Sequence, residues 1–325
     1  MYSLASFIMS KPLNAVLVAS VFAVLAVVIP PFSVLSGAVL CLVTLRLGVA
    51  QGVKVLLGAS IAVVVIAFIG IGGTVGGVVS FVAIAMAVTL VPLLLLSWVL
   101  RETRSMPITL IIAGVLAMIV VIAMYLTLGD TAVWWRQALG QTFSLAETDA
   151  GFPMSEQELE RFLDVMSKAM TGLLGAGVFF SLMAAILLAR WWQALLYNPG
   201  GFSKEFYDLR LDHRVSVVVL LVLGMMMLSS GLWSQLATDL LVVLLAMYTL
   251  VGIALIHGLV AILAAPTGVL FALYLLLAFL LPQMMIFLAA AGYTDSWIDI
   301  RGKVRAKKGI TPPRNNEDND SEDDR

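Results

Sequence analysis

The sequence predicts an all-α fold, a polytopic bundle of transmembrane helices with eight to nine hydrophobic spans. The composition and the spacing of the apolar residues support this prediction. Of the 325 residues, 61% are hydrophobic and 12% are charged, and the mean hydropathy is +1.04, which is too apolar for the surface of a water-soluble domain. The apolar residues also fall into runs close to the roughly twenty residues that a helix needs to cross about 30 Å of hydrocarbon.

Nine apolar runs predict the membrane segments. Their approximate limits are 13–29, 33–45, 55–71, 75–100, 108–128, 169–189, 215–232, 240–262 and 268–291. The second run is short and follows the first across Pro30-Pro31, a pair that ends one helix and starts the next in a tight hairpin. No cleavage pattern of small residues marks the first run, which we expect to be an uncleaved span.

The loops between the runs predict the orientation in the membrane, because Lys and Arg of short loops stay in the cytoplasm. One set of alternate loops holds the basic residues, which are Lys11, Arg46, Lys54, Arg101, Arg104, Arg190, Lys204, Arg210 and Arg214. We therefore expect a bacterial inner-membrane protein with a cytoplasmic amino terminus and an external segment at 129–168. In that segment Pro153, Ser155 and Glu158 predict a helix start with a capping box, followed by an apolar stripe that runs into the sixth span.

The carboxyl end conflicts with nine crossings. A basic cluster between Arg301 and Lys308 follows the last run, and such a cluster belongs in the cytoplasm, whereas nine crossings would place it outside. Either one of the three segments after Arg214 is re-entrant or interfacial, or the rule fails for the tail. We favour eight crossings and an internal tail.

These patterns divide the chain into four regions. Residues 1–190 form a six-span membrane core that includes the external amphipathic segment 129–168. A cytoplasmic segment at 191–214, called the elbow below, connects it to the carboxyl-terminal membrane segments at 215–291. Residues 292–325 are predicted to be a basic and then acidic tail that is largely disordered.

The composition argues against several classes of chemistry. A net charge of −1 does not favour nucleic acid as a partner, and the single cysteine, Cys41, and two distant histidines favour no metal site. The spans lack paired ionisable groups, apart from Asp239 at a helix edge, and no Walker-type phosphate loop is present. We therefore expect no catalytic residues, no cofactor and no enzyme activity.

Three polar side chains in the last two runs are candidates for ligand binding. Intramembrane His257 is one by default, Gln283 follows a proline that is expected to kink its helix, and Tyr248 is able to hydrogen-bond in the same cavity. Tyr274 is a further candidate of this kind. The alternatives are a histidine bonded to a carbonyl or water near the inner helix end, a packed helix bend and interhelical tyrosine packing.

The first span carries small residues at four-residue intervals. Ala15, Ala19 and Ala23 form a small-xxx-small row that allows another helix to approach closely. This alanine row predicts a docking face for a partner chain, and packing within the chain is the alternative.

The elbow is the most distinctive stretch. Its defining residues are Asn198, Pro199, Gly200, Gly201, Phe202, Glu205, Phe206 and Arg210. The Pro-Gly-Gly sequence predicts a turn, and the apolar residues after it recur at the spacing of a short amphipathic helix at the inner membrane surface. Glu205 and Arg210 are expected to pair with each other or with a neighbouring loop. A structural elbow is the first interpretation, and a binding site is the second.

This elbow, together with the run from Gly292 to Arg301, resembles the YybS-like family of bacterial membrane proteins. That family is distantly similar to the substrate-binding S-components of energy-coupling-factor transporters. The resemblance implies an S-component-like core made by the first six spans, a small-molecule ligand, and coupling or ATPase subunits as partners that meet the alanine row. Three further segments and the elbow are departures from the S-component pattern.

Two hypotheses about function follow. In the first, the chain is a small-molecule binding or transport component that lies in membrane lipid and performs no covalent chemistry. In the second, it is a structural or assembly protein whose outer helix and inner elbow recruit envelope machinery.

Overall fold

A computed structural model describes residues 1–70, 75–150 and 155–309. For 67–70, 75–88, 144–150 and 156 it describes the backbone only. Within these ranges the chain forms fourteen helices and no strand. The helices are α1 (Tyr2–Ser10), α2 (Pro12–Val28), α3 (Phe32–Leu47), α4 (Val49–Gly70), α5 (Val75–Thr103), α6 (Met106–Leu128), α7 (Thr131–Ala150), α8 (Glu156–Tyr197), α9 (Gly201–Tyr207), α10 (His213–Leu228), α11 (Leu232–Leu263), α12 (Gly268–Phe279), α13 (Leu281–Ile298) and α14 (Ile300–Lys307). The predicted all-helical fold class is confirmed.

Many of these helices have the composition of membrane spans. Among the described residues, four segments are long and apolar enough to cross a bilayer: Val49–Ile66, Met106–Leu128, Gln157–Tyr197 and Leu232–Leu263. Four shorter apolar helices, α2, α3, α10 and α12, accompany them. The chain is therefore a helical bundle of the membrane type.

Local sequence signals set several helix boundaries. The predicted hairpin at Pro30-Pro31 is confirmed, since α2 ends at Val28 and α3 begins at Phe32. The capping box is also confirmed: the Ser155 hydroxyl accepts from the Glu158 backbone N–H, and the Glu158 carboxylate accepts from the Ser155 N–H. Pro153 lies outside the described residues.

Helix α8 is the longest element and organises the bundle. Its 42 residues correspond to about 63 Å, roughly twice the hydrocarbon thickness. It contacts α3, α5, α6 and α11 along its length, and α7 packs against it. The segment that the sequence predicts to be external is thus a two-helix arm, formed by α7 and the start of α8, that leads into a core helix.

The last apolar run differs from the prediction of one span at 268–291. The structure divides it into α12 and α13, with a break at Leu280, where φ is −125° and ψ is 41°. Pro282 causes a break and not only the expected kink, because proline lacks an N–H and its ring clashes with the carbonyl four residues earlier. The predicted tail also begins later than 292: α13 and α14 extend helical structure through Lys307, while 310–325 lie outside the described residues.

Helices α11 and α13 pack in unusually close contact. They run parallel, since the Thr249 hydroxyl donates to the Met285 carbonyl and Gly252 lies against Leu288. A Cβ on Gly252 would be only 2.0 Å from the Leu288 carbonyl oxygen. Glycine is therefore required at this crossing, and α12 and α13 form a hairpin that returns the chain to the end of α11 from which it left.

We predict that Gly252→Ala lowers the free energy of unfolding by about 1–3 kcal/mol, because the added methyl group forces two helix backbones apart. Thermal unfolding in detergent measures the effect. Gly224→Ala in α10 is the matched control, since nothing lies within 4 Å of its added Cβ. Equal melting temperatures for the two variants would contradict the described helix contact.

Candidate functional site

The elbow and the stretch from Gly292 to Arg301 meet in space. Arg301 at the start of α14 donates to the Asp295 carboxylate, at 2.7 Å from Nη2 and 3.2 Å from Nε. The same guanidinium donates to the backbone carbonyls of Tyr207 and Leu209 in the elbow. The side chains of Arg301 and Asp295 are 4% and 0% exposed, so this ion pair within the tail is buried. The hydrogen bonds from Arg301 to the two elbow carbonyls join the tail to the elbow.

Exposed ion pairs surround this buried one. Arg210 pairs with Asp299 at 2.7 Å, and Arg305 pairs with Asp208. Glu205 instead binds Arg190 of α8 through two hydrogen bonds. Glu205 and Arg210 therefore bind different partners. Glu205 binds helix α8 and not a neighbouring loop, whereas Arg210 binds Asp299 between α13 and α14.

The elbow also rests directly on α11. A Cβ on Gly258 would lie 2.7 Å from the Tyr207 carbonyl oxygen, so only glycine permits this approach. At the other end of the elbow, the Asp212 carboxylate accepts from the Arg214 backbone N–H and caps α10. This hydrogen bond, with help from the nearby His213 and Arg214 charges, lowers the pKa of Asp212.

His257 lies beneath the elbow in a group of aromatic rings. Its Nδ1 is 2.9 Å from the Ile253 carbonyl, and the Tyr274 hydroxyl is 3.2 Å from its Nε2. The ring centres of Phe206 and Tyr207 are 5.6 Å and 6.3 Å away. With Nδ1–H donating to the carbonyl, Nε2 accepts from the tyrosine, and both ring nitrogens are satisfied by the protein.

The three predicted ligand-binding residues do not share one environment. Tyr248 is buried, and its hydroxyl is 2.9 Å from that of Ser216. It lies nine residues, or about 13 Å of helix rise, before His257. Gln283 is exposed in the first turn of α13. Their assignment to one cavity therefore lacks geometric support.

The alanine row is buried inside the bundle. Ala15, Ala19 and Ala23 are each at most 2% exposed, and the Ser36 hydroxyl of α3 donates to the Ala19 carbonyl. Helices α3 and α4 of the same chain cover α2. Other helices of the same chain therefore cover the alanine row, which is the alternative of packing within the chain. The predicted docking face for a partner chain is not exposed.

A cleft opens on the elbow side, where α3, α5 and α8 end. Its volume is about 650 Å³, and it is called the arginine cleft below. The lining residues are Leu45, Arg46, Leu100, Arg101, Glu102, Arg104, Arg190, Gln193 and Glu205. In the sequence these arginines served only as markers of the cytoplasmic side, and no local spacing indicated that they converge.

One buried acid lies nearer the other end of the bundle. Asp239 is 1% exposed, and its carboxylate accepts from the Tyr125 hydroxyl and, at 3.1 Å, from the Gly172 backbone N–H. Asp239 of α11 thus links α6 and α8 through hydrogen bonds inside the bundle. The sequence places it only at the edge of a helix. Among the described residues, no group of three or more His, Cys, Asp or Glu side chains is arranged to hold a metal ion.

No protein-family model matches the chain, and neither a curated protein nor a solved structure shows significant similarity to it.

We predict that Asp295→Asn destabilises the protein by about 3–5 kcal/mol, because it leaves the buried Arg301 charge without a counterion. Thermal unfolding in detergent measures the global effect. Limited trypsin digestion at the basic residues 303–308 measures release of the tail. Arg305→Gln removes an exposed partner of the same face and should cost no more than about 1 kcal/mol. Equal digestion of the two variants would show that the buried pair does not retain the tail.

Proposed function

We propose that this chain is a multi-pass protein of the bacterial inner membrane that binds a small molecule on its cytoplasmic face and performs no covalent chemistry. The arginine cleft is the observation that carries the proposal. Its volume of about 650 Å³ lies within the range of small-molecule sites, and four separate helices supply its side chains. The resemblance to the YybS-like family is part of the proposal and rests on the sequence of the two stretches alone.

The proposed orientation has the amino terminus, the elbow and the tail in the cytoplasm. The arginines that line the cleft and those that join the tail to the elbow lie at one end of the bundle, as the positive-inside rule requires. Lys11 lies near Lys54 and Leu47, at the α3 end that also carries Arg46. Eight crossings by α2, α3, α4, α5, α6, α8, α10 and α11 then return the chain inside, and the α12–α13 hairpin enters and leaves from that side.

A fluorescent protein and alkaline phosphatase, each fused after Arg325, test this orientation. We expect fluorescence from the first fusion and no phosphatase activity from the second, because the tail is joined to the elbow. The same reporters fused after Gly129 should give the reverse result. Phosphatase activity of the Arg325 fusion would overturn the eight-crossing topology.

The binding activity is tested by extracting full-length protein purified in mild detergent and identifying bound small molecules by mass spectrometry. We expect a compound in near-stoichiometric amount that is at least about tenfold depleted in Gln193→Trp, because the larger side chain occupies part of the cleft. Gln157→Trp, the same substitution at the exposed outer end of α8, is the matched control. Equal occupancy in both variants, or no bound compound in the wild type, would refute binding in the cleft.

The S-component hypothesis adds a coupling subunit and ATPases. The six core helices α2, α3, α4, α5, α6 and α8 contact one another, which supports a common core. Because the alanine row is covered, a coupling subunit must use another surface. Co-purification of ATPase subunits with the wild type supports transport, and their absence leaves a binding protein without an energy source.

The two-helix arm favours an assembly role as a second candidate function. It extends beyond the core through the long helix α8 and carries exposed ion pairs between Arg136, Glu160, Asp164 and Lys168. If recruitment is the function, cross-linking from the arm will capture an envelope protein while no compound occupies the cleft. That pair of results would replace the ligand-binding proposal.

A further inference from the structure

The arginine cleft contains positive charge that the protein itself does not neutralise. Glu205 neutralises Arg190, which it binds through two hydrogen bonds, and Gln193 accepts from the same guanidinium. The remaining charged residues that line the cleft are three arginines, Arg46, Arg101 and Arg104, and one acid, Glu102. Within the described ranges none of these three arginines forms an ion pair.

The three arginines differ in what holds them. Arg101 donates to the carbonyls of Thr44 and Leu45 at 3.2 Å and 3.0 Å, and so caps the carboxyl end of α3. Arg46 lies 4.3 Å above the ring of Tyr197, a contact that orients the guanidinium without offsetting its charge. Arg46 and Arg104 are exposed, so their donors are accessible to a ligand in the cleft.

The chemistry of these donors indicates the class of ligand. A guanidinium presents planar, paired N–H donors that match the oxygens of phosphate, and its charge persists at every physiological pH. The cleft is far larger than one phosphate ion, so the phosphate would be part of a larger molecule. Since the cleft lies where helices end at the membrane boundary, both a lipid headgroup and a soluble phosphorylated molecule can reach it.

We infer that the arginine cleft binds the phosphate group of its ligand, with Arg46 and Arg104 as the contacting residues and Arg101 and Arg190 as the framework that places them. This inference rests on the proposed binding function and names the ligand class. Glu205 links the framework to α9, so the elbow forms one wall of the phosphate site.

The test uses the full chain in lipid nanodiscs and measures the ligand-dependent rise in melting temperature. In the first arm, pyrophosphate is titrated into nanodiscs of phosphatidylcholine alone. In the second arm, increasing fractions of phosphatidylglycerol replace phosphatidylcholine without added phosphate. The variants are Arg46→Gln/Arg104→Gln and Arg214→Gln, an arginine whose side chain is 88% exposed on the same face and does not line the cleft.

We expect wild type and Arg214→Gln to be stabilised equally in at least one arm. The double variant should need at least about tenfold more pyrophosphate or phosphatidylglycerol for the same stabilisation, since it lacks two charged donors. A response in the first arm alone assigns a soluble phosphorylated ligand, a response in the second alone assigns a lipid headgroup, and responses in both support the shared phosphate chemistry.

Three results would overturn the inference. One is the absence of stabilisation in both arms, and another is an equal loss in Arg214→Gln, which would show a general effect of surface charge. The third is a double variant that is less stable without ligand yet responds normally, as expected if the arginines only cap helix ends. A compound without phosphate that co-purifies in the cleft would refute this inference and leave the proposed binding function intact.

Discussion

The buried ion pair between Arg301 and Asp295 is the constraint on which the elbow side of this molecule depends. Removing two charges from water is costly, and the cost is offset only when every donor and acceptor finds a partner. Here the guanidinium also donates to the carbonyls of Tyr207 and Leu209. These carbonyls lie at and just after the end of α9, where no next helical turn supplies a backbone N–H to them. One side chain thereby fixes the tail, satisfies the elbow backbone and holds the elbow against Gly258 of α11.

This arrangement also determines at which end of the bundle the last helices begin and end. Because the tail is joined to the elbow, α12 and α13 must begin and end at the same end of the bundle. The break before Pro282 makes that return possible, and the parallel contact between α11 and α13 stabilises it through backbone-to-backbone approach at Gly252. A single straight helix over the same residues would carry the basic residues to the opposite end.

Much of the fold was predictable because its signals are local. The apolar runs, the Pro30-Pro31 hairpin and the Ser155–Glu158 capping box each depend on residues a few positions apart. The site was less predictable, since Arg301 and Leu209 are 92 residues apart in sequence. The alanine row shows the same limit: small residues indicate close approach, but not which helix approaches. His257 was identified from sequence as a polar residue in a span. Its contact with Tyr274 was not predictable, because it depends on how the α12–α13 hairpin folds back.

The arginines of the cleft show why side-chain geometry is needed to distinguish a binding site from basic residues that only set the orientation in the membrane. The positive-inside rule needs only that basic residues lie on one side, and it places no demand on where each guanidinium points. Arg101 binds the Thr44 carbonyl and Arg190 binds Glu205, and the positive-inside rule requires neither contact. Arg46 is oriented by Tyr197, and Arg104 borders the same volume without a counterion among the described residues. These contacts, and the absence of an ion pair for Arg46 and Arg104 among the described residues, are what the proposed anion site requires. Orientation in the membrane alone does not account for them.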